Sequence, residues 1–192
     1  MKKSLLMQDS WRSNHGYEAM LDFQISWLLR LSAEKEVKHK RLHKISKEVL
    51  LRLIEREGST DVIISKVEIW RQWASIDITA EVDLIVDGQI ERHLIVIEDK
   101  AYTLLHDNQL ARYKNSIEDY YEGKHKPKFD IHYWVITFYE EGNGRWNSLQ
   151  NECKEKGWRL LSFYDVIGWK EDEDFSDTGS DLFDEFWLRE WY

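Results

Sequence analysis

A chain of 192 residues, 42% hydrophobic and 33% charged, has the length of one domain and enough apolar mass for a single core. Ten Trp, nine Tyr and seven Phe exclude a disordered chain, one Pro and nine Gly exclude collagen-like sequence, and the lone Cys153 excludes an intrachain disulfide or a cysteine-built zinc site. The net charge of −9 is concentrated at the end: residues 171–192 carry nine acids against one base, Arg189, so the body is nearly neutral. The N-terminus, MKKSLLMQDSW, holds too short an apolar stretch for a signal peptide, and no run approaches the ~20 residues of a membrane span. A soluble, cytoplasmic, single-domain protein is expected.

Taken in chain order, Met20, Phe23, Trp27, Leu28 and Leu31 recur at helical spacing over 16–31. Residues 38–56 repeat the pattern with Leu42, Ile45, Val49, Leu53 and Ile54, stopping before Gly58. Around the start of this second helix, Lys35, Lys38, Lys40, Arg41, Lys44 and Lys47 outnumber Glu36. That cluster suits either a solvated helix face or phosphate tracking. The period then changes to two. Val62, Ile64, Val67 and Ile69 predict one strand, and Ile76, Ile78, Ala80, Val82, Leu84 and Val86 predict a second. The continuous run Leu94-Ile95-Val96-Ile97 predicts a strand covered on both faces. A helix over about 105–122, a strand over 131–138, a helix over about 146–156 and a strand over 158–163 follow. A short helix over 164–169 and an aromatic, acidic helix over about 181–190 complete an α/β chain with a mixed sheet flanked by helices. The core is expected over about 38–169, with 170–192 as a C-terminal extension. Trp70, Trp73, Trp134, Trp158 and Trp169 are core candidates, whereas Trp11, Trp146, Trp187 and Trp191 suit an interface or base stacking.

Chemistry concentrates in Glu81-Val-Asp83 and in Glu98-Asp99-Lys100. Residues two apart on a strand share a face, so Glu98 and Lys100 point together and Asp99 points away. Charged groups at the end of so apolar a run are costly to bury unless paired or bound to a metal. If Asp83 faces Glu98 from the neighbouring strand, two carboxylates and an ammonium converge, a set able to hold Mg²⁺ through oxygen. This requires a wide loop over about 87–93, centred near Ile90–Glu91, or a bulge. The obvious turn signal, Asp87-Gly88, gives a tight hairpin that instead sets Asp83 opposite Arg92, roughly 20 Å from Glu98. A structural ion-pair cluster is the plain alternative.

Asp83 followed by Glu98-x-Lys100 in the context IVIEDKA resembles the PD-(D/E)XK nuclease superfamily. Gln109 and Tyr113, four apart on the next helix, resemble the Q-x-x-x-Y motif of one branch, and the later strands and closing helix are similar too, over about residues 18–169. The resemblance implies a restriction-endonuclease-like fold and an Mg²⁺- or Mn²⁺-dependent deoxyribonuclease. Asp83, Glu98 and the main-chain carbonyl of Asp99 would hold the metal, Lys100 would orient the attacking water, and Gln109 and Tyr113 would buttress the site or touch substrate. The family often adds a Glu from an early helix; Glu48 is the candidate and Glu18 the runner-up. Val82 stands where the family name has proline. DNA is the expected partner, no membrane is involved, and cutting both strands would favour a homodimer.

Two rival readings stay open. One is a catalytically silent nucleic-acid-binding or protein-interaction module on the same fold. The other is a nuclease of phage defence held back until a signal arrives, with the acidic tail over its groove.

Overall fold

The computed structural model describes residues 3–8, 14–122, 127–168 and 176–191. Helices α1 (Asn14–Ser32) and α2 (Lys40–Leu53) precede strands β1 (Val62–Trp73), β2 (Ile76–Val86) and β3 (Gln89–Lys100). Then come α3 (Gln109–Tyr121), β4 (Asp130–Thr137), α4 (Gly144–Lys156), β5 (Arg159–Ser162), α5 (Phe163–Val166) and α6 (Asp181–Trp187). The five strands lie in sequence order, antiparallel from β1 to β3 and parallel from β3 to β5. This mixed sheet between helices is the α/β architecture expected of a restriction-endonuclease-like fold.

The antiparallel half is set by turn chemistry. Val86 pairs with Gln89, so only Asp87 and Gly88 lie between β2 and β3, both with positive φ (50° and 77°). Two left-handed residues match the twist of a two-residue hairpin, and glycine takes the second position without steric cost. The expected wide loop over 87–93 is therefore absent. Residues 89–93 belong to β3, and Asp83 pairs with Arg92. The β1–β2 connection is equally short, with Ala74 and Ser75 at positive φ between the paired Trp73 and Ile76.

Alternation along β3 divides the core. Ile95 and Ile97 face α1 and α2 with Ile78, Ala80, Val82, Leu84, Trp134 and Ile136. Leu94 and Val96 face Leu110, Tyr113 and Ile117 of α3, with Cys153 of α4 in the same cluster. Burial on both sides explains why β3 reads as an unbroken apolar run. On α1 the buried stripe is Tyr17, Leu21, Ile25, Leu28 and Leu29, and Phe23 is exposed. Apolar side chains lie all round this helix, so periodicity alone chose a face rotated from the one that packs.

The C-terminal segment contributes to the core rather than trailing from it. Phe183 and Phe186 are fully buried, Trp187 stacks on Phe163 at 4.5 Å, and Trp191 stacks on Tyr17 at 5.4 Å. Two acids of the segment act as local acceptors. Glu185 receives hydrogen bonds from the Ser4 hydroxyl (2.9 Å) and the Leu6 amide (3.2 Å), and Asp184 receives one from the Thr178 hydroxyl (2.6 Å). Trp146 and Trp187 are thus buried, while Trp70, expected inside, is partly exposed on edge strand β1. Trp11, Trp169 and the acids 171–174 lie outside the described residues. No described helix is long and apolar enough to cross a membrane.

Phe186→Ala should lower folding stability by about 3–5 kcal/mol, because a fully buried ring leaves a cavity. Urea unfolding followed by Trp fluorescence measures it; a change under about 1 kcal/mol would mean the segment is not part of the core.

Candidate active site

The carboxyl end of β3 holds Glu98, Asp99 and Lys100 in succession, all buried, with Glu98 only 1% exposed. The strand sends Glu98 and Lys100 toward α3 and Asp99 toward α1. Lys100 Nζ lies 2.5 Å from Glu98 Oε1. Gln109 Nε2 donates to the same oxygen at 2.6 Å and contacts the Tyr113 hydroxyl at 2.8 Å. The Gln109 side-chain oxygen accepts from the His106 amide, so both ends of its amide are held. One helix face, read from the i,i+4 spacing of Gln109 and Tyr113, thereby fixes the rotamer of Glu98.

The second strand contributes a different aspartate from the one expected. The tight hairpin register, continued one step beyond Ile78–Ile97, brings Asp77 beside Glu98. Asp77 Oδ2 accepts from the Asp99 amide at 2.9 Å, and Oδ1 accepts from Gln72 Nε2 at 2.8 Å. Asp83 sits far down the hairpin, 3.7 Å from Arg92 at the rim, and joins none of these groups. From α1, Asp22 completes a cluster in which carboxylate oxygens of Asp22, Asp77 and Asp99 lie within 4.8 Å of one another. Arg71 reaches Asp22 at 3.3 Å. Glu18, one helical turn before Asp22, accepts from the Ala101 amide (3.2 Å) and the Thr103 hydroxyl (2.7 Å). Glu48 is exposed on α2, paired with Lys44 at 3.7 Å, and lies apart from the cluster. Of the residues read from the sequence, the structure gathers Glu98, Asp99, Lys100, Gln109, Tyr113 and the runner-up Glu18. It leaves out Asp83 and Glu48.

Asp77 and Asp22 were the residues missed. The signal for Asp77 was present: a two-residue Asp87-Gly88 turn sets position 77 opposite 98. Asp22 shares a helix face with Glu18, two carboxylates at i,i+4 where an apolar helix has no need of them.

A cavity of about 320 Å³ opens onto this cluster, lined by Glu18, Asp22, Arg71, Asp77, Asp99 and Lys100 among others. Its electrostatics have one dominant feature: carboxylates outnumber cations. Burial first, and Asp77 second, raise the Glu98 carboxyl to about 8 against the opposing pull of Lys100. Burial and Asp77 likewise raise Asp22 to about 6 and hold Asp99 well above the usual carboxylate range. For Lys100, burial opposes the ammonium, but Glu98, Asp77 and Glu18 outweigh it and the proton is held more tightly. Burial is the first cause for the acids and opposes the shift of Lys100, while the surplus of carboxylates pushes acids and base the same way. Three buried oxygens, Asp22 Oδ1, Glu98 Oε2 and Asp99 Oδ2, have no hydrogen-bond partner. Orphaned carboxylate oxygens, an all-oxygen donor set and excess negative charge fit a hard divalent cation. Backbone strain borders the same place. Among the described non-glycine residues at positive φ, Gln72, Ala74 and Ser75 flank Asp77, and Asp107 and Asn108 precede Gln109.

A carboxyl that holds its proton more tightly in the fold adds stability fully present below the ordinary carboxyl range and lost as pH rises through its folded value. In chelator, the wild type should lose stability relative to Glu98→Gln as pH rises from about 4.5 through about 8. Urea unfolding at a series of pH values checks this; parallel profiles would contradict a buried, proton-retaining Glu98.

A family model described as the PD-(D/E)XK nuclease superfamily matches residues 22–176. No curated protein and no solved structure matches the chain.

Proposed function

This chain belongs to the PD-(D/E)XK nuclease superfamily, and from that membership we propose that it is a divalent-metal-dependent nuclease hydrolysing DNA phosphodiester bonds. The observation that carries the reading is Asp77, in register beside Glu98 and accepting from the Asp99 amide, with Lys100 in contact with Glu98. An acid from one strand, an acid and a lysine two apart on the next, and a cavity in front of them form a phosphodiesterase constellation.

Asp77, Glu98 and the main-chain carbonyl of Asp99 would hold Mg²⁺ or Mn²⁺, with the Asp22 and Asp99 carboxylates adding negative charge around it. The bound cation would offset negative charge that grows on the scissile phosphate. The chain's own groups do the rest. Lys100 Nζ, at the cavity wall, orients the attacking water and hydrogen-bonds the phosphate oxygen on which charge develops as the P–O bond to the leaving group breaks. Gln109 acts as a positioning residue, holding Glu98 with its amide nitrogen while its oxygen is tied to the His106 backbone. Tyr113 supports Gln109 from the next turn. Burial keeps these groups in fixed rotamers, so little reorganisation remains for the moment of reaction. Asp77 takes the role that the sequence alone gave to Asp83.

Cleavage of supercoiled plasmid and of labelled oligonucleotide DNA, with Mg²⁺ or Mn²⁺, tests the assignment. Asp77→Asn and Lys100→Ala should each reduce cleavage by about 10²–10³-fold, whereas Asp83→Asn and Glu48→Gln should stay near the wild-type rate. Gln109→Ala should lower the rate with little effect on DNA binding. Wild type that binds DNA but cuts it with neither metal, no better than Asp77→Asn, would instead support the silent binding module.

A further inference from the structure

Where β3 begins to pair with β4, about five residues and roughly 16 Å from Glu98, two histidines face each other across the neighbouring parallel strands. His93 pairs in register with Asp130, and Ile95 pairs with His132. Alternation puts all three side chains on the face of α1 and α2, where Ile95, Ile97, Trp134 and Ile136 continue the same rows. His93 Nδ1 lies 3.1 Å from His132 Nε2. The Asp130 carboxylate Oδ2 is 3.8 Å from the first and 3.6 Å from the second. Ligand bonds of about 2.0–2.1 Å in a tetrahedron space the ligand atoms roughly 3.3–3.4 Å apart, and these three separations bracket that value.

The outward-facing nitrogens add an independent argument. His93 Nε2 faces Glu91 Oε2 and His132 Nδ1 faces Glu55 Oε2, each at 3.5 Å. Both acids are anchored in turn, Glu91 by Arg56 and Glu55 by Arg159 at 2.6 Å. In a neutral hydrogen-bonded pair, one inner nitrogen carries the proton and the other accepts it. The proton-giving ring then presents a bare lone pair to its outer carboxylate, an unfavourable contact. Full protonation of that ring would relieve it, but the two rings are buried, 3% and 4% exposed, where an ionised imidazole is costly. His93 Nε2 indeed has no hydrogen-bond partner. With an ion between the two inner nitrogens, both outer nitrogens carry hydrogens directed at carboxylates, the arrangement that orients metal-bound histidines.

We propose that His93 Nδ1, His132 Nε2 and the Asp130 carboxylate form a transition-metal site of Zn²⁺ type, separate from the carboxylate cluster, that clips the start of β4 to the middle of β3. Two imidazoles and one carboxylate select a borderline-soft ion over Mg²⁺, which the all-oxygen cluster prefers. Asp130 stands at the rim, 71% exposed, so the fourth position opens to water.

The test adds Co²⁺, then Zn²⁺, to tag-free, chelator-treated full-length protein. One equivalent of Co²⁺ should produce the visible absorption of a tetrahedral site, and Zn²⁺ should abolish it. The signal should persist in Asp77→Asn/Glu98→Gln, weaken at least about tenfold in affinity in Asp130→Ala, and fall about 10–100-fold in Glu91→Gln. Asp130 and Glu91 lie at the surface of the site, so circular dichroism should confirm that both variants fold. No tetrahedral signal, an unchanged affinity in Asp130→Ala, or loss of the signal in the Asp77/Glu98 variant would each overturn the assignment.

Discussion

The burial of acidic side chains at the end of one strand is the constraint on which the rest of the site depends. An ionised carboxylate away from water carries a penalty of several kcal/mol unless neighbours compensate it. Glu98 is compensated by Lys100 on its own strand and by Gln109 from α3. Asp77 is compensated by the Asp99 amide and by Gln72, and Asp22 by Arg71. The compensating groups come from β1, β3 and α3 and the acids from α1, β2 and β3, so the sheet, α1 and α3 must all be correctly placed before any of these charges is tolerable. Even then burial first, and an excess of negative charge second, tighten the hold on protons by Asp22, Glu98 and Asp99, and the same excess holds the proton on Lys100. The arrangement trades local stability for a site that attracts positive charge.

How much of this was legible in the sequence depended on the range of the interaction. Glu98 and Lys100 could be read because the strand period is local and strong, and Gln109 and Tyr113 because they resemble a family motif whose i,i+4 spacing puts them on one helix face. The order of helices and strands was legible from the same local periods. Pairing between strands is a longer-range property, and there two sequence signals conflicted. The spacing of a recognised motif favoured Asp83, while the Asp87-Gly88 dipeptide favoured a tight turn. Turn chemistry prevailed, because two left-handed residues match the hairpin twist and leave no slack for a wider loop. One consequence of the register follows at once: Asp77, not Asp83, reaches Glu98. The buried face of α1 was misread, and so were Trp146 and Trp187, since neither helical faces nor aromatic burial can be fixed where apolar residues surround the axis. The acids of α6 also disguised a segment whose phenylalanines complete the core.

Strand β3 carries two different clusters along its length. Alternation sends Glu98 and Lys100 to the α3 face at its carboxyl end and His93, five residues earlier, to the α2 face. The first cluster presents oxygens alone, and the second presents two imidazoles and one carboxylate. Both clusters border residues at positive φ, Gln72 and Asn108 near the first and Glu55 at the second. Rigid, fully covered strands suit such sites because they fix ligand positions that loops would leave loose.

Anomalous diffraction from crystals equilibrated with Mn²⁺ would test the central claim most directly. The account predicts a peak coordinated by the Asp77 and Glu98 carboxylates and the main-chain carbonyl of Asp99, with Lys100 at the border of the site. Manganese bound beside Asp83, or no ordered manganese at the Asp77–Glu98–Asp99 cluster, would contradict it.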